Sequence, residues 1–91
     1  MQLGIYSVYD LKARTYCRPF YSTNDETALR DFSSAVNDSV SDLSRHPSDF
    51  SLFKLATFQD VTGLITVEDH PLPLGVGSQF VRYLSDSTDE G

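Results

Sequence analysis

Residues 4–21 read Gly-Ile-Tyr-Ser-Val-Tyr-Asp-Leu-Lys-Ala-Arg-Thr-Tyr-Cys-Arg-Pro-Phe-Tyr. From Leu3 to Asp10 the side chains alternate as a strand does: Ile5, Ser7 and Tyr9 point one way, Tyr6 and Val8 the other. Both sets carry apolar groups, so the strand is expected inside a sheet or covered on both sides. Asp10 to Thr15 is a polar connection, and Thr15 to Phe20 a second short extended segment. Pro19 assigns that segment to an edge, because proline has no N–H to give a ladder.

The same stretch is chemically lopsided. It holds four of the five tyrosines (Tyr6, Tyr9, Tyr16 and Tyr21), three cations (Lys12, Arg14 and Arg18) and one acid, Asp10. Its net +2 leaves −8 on the rest of a 91-residue chain whose formal charge is −6. Rings beside cations suit single-stranded nucleic acid, where bases stack and phosphates seek positive charge. They are equally what the half-buried edge of an ordinary sheet presents.

Downstream, Thr23-Asn24-Asp25-Glu26 opens a helix, with Thr23 as N-cap and Glu26 completing a capping box. Ala28, Leu29, Phe32, Ala35, Val36 and Val40 follow at helical spacing, with Arg30, Asp31, Ser33, Ser34 and Asn37 opposite. The spacing predicts one amphipathic helix from about Asn24 to about Asn37. Ser, Asp and Asn then compete for backbone hydrogen bonds from Asn37 to Ser48 and imply a structured loop, with a helical turn anchored by Val40 and Leu43. Ser51 to Phe58 alternates as a strand, Gln59 to Gly63 turns, and Leu64 to Val67 returns. From His70 to Gly77 proline and glycine recur densely enough to exclude regular structure. Phe80, Val81, Tyr83 and Leu84 form an apolar segment suited to docking on the body or on a partner. The expected organisation is one domain over residues 1–84 and a disordered acidic tail over residues 85–91. The fold class is α+β: a three- or four-stranded, mainly antiparallel sheet with one helix on one face. The second face of that sheet is left to water, a twin subunit or a ligand.

Composition narrows the function. No apolar run approaches the roughly 18 residues of a membrane span. No secretory leader is evident, so a cytoplasmic setting is expected. The excess of acids disfavours broad contact with duplex DNA, since each phosphate contact needs a Lys or Arg. His46, His70 and Cys17 match no zinc spacing. Asp60-Val61-Thr62-Gly63 lacks the ligands of a calcium loop, and Leu74-Gly75-Val76-Gly77 lacks the context of a phosphate loop. No nucleophile elbow is present, so neither enzymatic activity nor a metal or other cofactor is expected. Cys17, the lone cysteine, reads as a small strand residue.

A resemblance sharpens this. Ile5-Tyr6-Ser7-Val8-Tyr9-Asp10 with Lys12-Ala13, then Pro19-Phe20, Asn24-Asp25, Arg30-Asp31-Phe32 and Val36-Asn37-Asp38, resembles the small nonstructural protein of gokushoviruses. These are single-stranded DNA bacteriophages of the microvirus family. Ser44-Arg45-His46-Pro47-Ser48-Asp49-Phe50, Leu52-Phe53-Lys54-Leu55 and the Asp60…Thr62-Gly63 turn fit the same pattern. The likeness is collinear over about Leu3 to Val67. Beyond Glu68 only Leu74-Gly75 fits, and Ser39 stands where that family would place a proline. The resemblance implies a non-capsid protein of the infected bacterium's cytoplasm that serves viral single-stranded DNA synthesis, with DNA binding. It supplies no catalytic residues.

The residues expected to touch nucleic acid are therefore Tyr6, Tyr9, Lys12, Arg14, Tyr16 and Arg18. The expected partners are single-stranded viral DNA or replication proteins. The rival reading is an acidic homodimeric module that docks on a replication, host or assembly protein without touching DNA. A third is an inhibitor whose carboxylates mimic phosphate.

Overall fold

Strand β1 (Gln2–Asp10) lies at the centre of an antiparallel sheet in the computed structural model, which describes residues 1–82. On one side it pairs with β2 (Thr15–Tyr16) and β3 (Phe20–Ser22). On the other it pairs with β4 (Phe50–Gln59), which pairs in turn with β5 (Leu64–Val76). The fold is α+β, as the alternation of patterns predicts. The sheet is four strands wide but has five segments, because the stretch around Pro19 divides the first edge into β2 and β3.

Helix α1 (Asp25–Val36) covers one face of the sheet. Its Ala28, Phe32 and Val36 repeat every four residues and are all buried. They meet Tyr6, Phe50 and Leu52, with Val8, Phe20, Leu29, Leu43, Leu74, Phe80 and Val81 packed around them. Directly opposed residues of antiparallel strands share a face. Tyr6 opposes Phe20 and Lys54, and Val8 opposes Leu52, so the even positions of β1 point to the helix. Ile5, Ser7 and Tyr9 point away from it. Thus β1 is interior to the sheet, as expected, but α1 covers only one of its two faces.

Several local expectations are corrected. The N-cap of α1 is Asn24, whose side chain accepts the Thr27 amide at 2.8 Å. Thr23 lies one residue outside and reaches only the Thr27 hydroxyl, at 3.4 Å. The capping role shifts because the Asn24 amide oxygen is the one in reach of the third helical N–H. Asn37 ends the helix and is no solvent-facing residue. Its amide nitrogen donates to the carbonyls of Ser33 at 2.8 Å and Phe80 at 2.9 Å, and its oxygen accepts the Arg82 amide at 2.8 Å. The described part of the apolar segment, through Phe80 and Val81, thus docks on the body, and Tyr83 and Leu84 lie outside the described residues. Its Phe80 ring meets Phe32 edge to face at 5.8 Å. The short helix α2 (Asp42–Arg45) fills the structured loop, capped by Ser41. Leu43 anchors it, whereas Val40 is 78% exposed because α1 ends before reaching it.

The largest correction concerns residues 70–77. β5 runs through His70 to Val76 despite Pro71 and Pro73. It is an edge strand, so prolines cost no ladder bond on its open side. Its pairing with β4 slips on either side of Phe53–Lys54, which absorbs Glu68–Pro71 and Leu74 as irregularities. The β4–β5 turn is Asp60 to Gly63, with Gly63 at φ +77°, a left-handed conformation that suits glycine. The expected acidic tail lies outside the described residues.

Candidate nucleic-acid interface

The face of the sheet away from α1 has no covering element among the described residues, and rings gather at one end of it. Tyr9 on β1 opposes Tyr16 on β2, with ring centres 4.7 Å apart. Phe53 of β4 joins them, at 6.4 Å from Tyr9 and 5.7 Å from Tyr16. All three contacts are edge to face, a favourable geometry for rings whose edges and faces carry opposite partial charge. Tyr16 remains 41% exposed, and Tyr9 and Phe53 are half-buried. Ser7, opposite Phe53, is fully buried and donates its hydroxyl to the Cys17 carbonyl at 2.6 Å. That bond ties the irregular stretch after β2 back to β1.

The cations sit beside this ring cluster. Lys12 and Arg14 lie in the four-residue turn that joins Tyr9-Asp10 to Thr15-Tyr16. Asp10 organises the turn: its carboxylate accepts the amides of Lys12 at 3.0 Å and Ala13 at 3.2 Å. Its carbonyl accepts the Arg14 amide at 2.7 Å. Arg14 closes the turn at φ +58°, a region seldom held by a long side chain. Arg18 projects from the break between β2 and β3, where the Cys17 amide still donates to Val8 at 2.8 Å. All three cations are exposed, and none joins an ion pair among the described residues. Cys17, expected as a strand residue, lies just past the end of β2 and is exposed.

Tyr6 does not belong to the site. It is fully buried under α1, and its hydroxyl donates to Asp25 at 2.6 Å. Burial, then the hydrogen bond to Asp25, then that carboxylate's charge raise its phenol well above the ordinary range. Gly4 makes this possible, since a Cβ there would collide with the Tyr6 phenol. The alternation along β1 already separates Tyr6 from Tyr9, and only Tyr9 falls on the open face. Conversely, Phe53 completes the cluster and was no candidate from sequence. Its signal was its alternation with Leu52, which places the two on opposite faces.

Of the six candidates, the fold brings Tyr9, Tyr16, Lys12, Arg14 and Arg18 to one corner and removes Tyr6. No metal-ligating group of His, Cys, Asp and Glu occurs among the described residues. Among them no helix is long and apolar enough to cross a membrane. Compared with known families, residues 3–80 match the model described as Phage ORF5 protein. Neither a curated protein nor a solved structure matches the chain.

Proposed function

The chain belongs to the Phage ORF5 protein family, and from that premise we propose that this phage accessory protein binds single-stranded DNA during viral DNA synthesis. The reading rests on one observation: Tyr9, Tyr16 and Phe53 cluster on an uncovered sheet face beside Lys12, Arg14 and Arg18. Exposed Tyr16 offers an aromatic surface to an unstacked base, and the three cations hold the flanking phosphates. The acidic remainder of the molecule confines the strand to this corner. The likeness to gokushovirus nonstructural proteins supports the same role, acting where single strands are made for packaging. No bond is made or broken; the chemistry is stacking and counterion release.

Fluorescence anisotropy with a labelled single-stranded oligonucleotide across a salt series tests it. Three phosphate contacts give a slope of about −2 in log affinity against log salt. Losing one stacked base costs about 1–3 kcal/mol, so Tyr16→Ala weakens binding roughly 5- to 150-fold. Absence of binding at about 50 mM salt, where phosphate contacts are strong, rejects direct DNA contact.

A further inference from the structure

The sheet has two edges, and they are guarded differently. One edge is β2 and β3, which are short, broken at Pro19 and flanked by Arg18. Shortness, proline and charge all hinder the addition of a foreign strand. β5, at the other edge, protects only part of its length. From Glu68 to Pro71 it leaves the ladder: Val67 opposes Ala56, and the next pair is Leu72 with Lys54. That part also carries Glu68, Asp69 and Pro71, and a second proline, Pro73, follows it within the ladder.

Leu64-Ile65-Thr66-Val67 lacks every one of these devices. It is in register with β4, uncharged and free of proline, and three of its four residues are β-branched. Leu64, Ile65 and Val67 are 66%, 57% and 72% exposed, so no described element covers either face of the segment. No described strand pairs with its outer side. Such an edge is a template for another strand.

We propose that Leu64–Val67 pairs antiparallel with the same segment of a second copy of this chain, across a two-fold axis through Ile65 or Thr66. Charge selects this direction, and the neutrality of the strand itself admits a second copy despite the −6 on each chain. In a parallel, in-register pair, Glu68 and Asp69 would lie beside their own equivalents, and like charges facing one another destabilise a sheet. In the antiparallel pair they fall against residues 61–64 of the other copy, Val-Thr-Gly-Leu, none of which is charged. Each copy carries −6, so close approach is easiest where a long run is neutral, and residues 61–67 are such a run. The two-fold also needs only one surface, because each segment supplies the donors and acceptors that its twin lacks. Ile65 opposes Phe58 on β4, and Phe58 opposes Leu3 on β1. This apolar row on the open face continues into the second copy.

This interface is separate from the aromatic corner, so its failure leaves the DNA-binding reading standing. Light scattering on the full chain is the first test. The expected result is twice the monomer mass for the native sequence, falling to half that value for Thr66→Glu and for Val67→Glu. Far-UV circular dichroism and DNA affinity stay unchanged in both. At the axis each residue faces its own copy with Cα atoms about 4.5–5.5 Å apart, within disulfide range. In a Cys17→Ser background, Ile65→Cys or Thr66→Cys should therefore give a covalent dimer on mild oxidation, and Val40→Cys should not. A native chain that stays monomeric at its highest soluble concentration overturns the proposal. So does a dimer that keeps its mass in both glutamate variants and is crosslinked by neither strand cysteine.

Discussion

Two tyrosines three residues apart on β1 have opposite fates. Tyr6 spends its hydroxyl on Asp25 and its ring on the core, while Tyr9 joins the open aromatic corner. Their opposite faces were legible from alternation, but which face the helix would cover was not. The Tyr6–Asp25 bond also makes a stability prediction. The folded phenol titrates above its ordinary value, so its contribution is complete below about pH 10, where an unfolded tyrosine begins to ionise. Above that pH the unfolded chain holds fewer protons than the folded one, so stability falls as pH rises. Urea unfolding at about pH 9 and about pH 11 should show the loss. Tyr6→Phe, which has no phenolic proton, should be less stable at neutral pH by about 1–2 kcal/mol and should show a shallower alkaline decline. Equal declines in the two proteins would remove Tyr6 as the cause.

At the level of elements, the strand and helix periods of β1, β4 and α1 were readable because each carries a buried stripe at its own spacing. Phe32→Ala should cost roughly 3–5 kcal/mol, since Phe32 is 3% exposed and packs on Phe80. Val40→Ala should lie within about 0.5 kcal/mol of the native chain, because the apolar spacing extends past the true helix end. Chemical denaturation of both variants checks the contrast, and a costly Val40→Ala would contradict the observed end of α1. β5 was legible only over Leu64–Val67. Beyond that, Pro71 and Pro73 mimic a loop, and only its place at the sheet edge explains why the strand continues. Local propensity carries no record of whether a strand is central or peripheral.

Over the whole molecule, the charge asymmetry seen in the sequence becomes a spatial one. The chain folds its N-terminal cations onto a turn and a strand break at one corner, next to rings contributed by three strands. Tyr9, Tyr16, Lys12, Arg14 and Arg18 were recognisable because they are neighbours in sequence. Phe53 was not, because its partnership depends on the β1–β4 register. On the proposed function, this corner, and not the acidic helical side, meets a single strand. Nuclear magnetic resonance of the labelled protein with a short oligodeoxythymidine at about 50 mM salt tests it most directly. The expected result is a shift of the ring signals of Tyr9, Tyr16 and Phe53 and of the amides from Leu11 to Arg18, with α1 unmoved. An unchanged spectrum, or shifts centred on α1 and the loop after it, would contradict it.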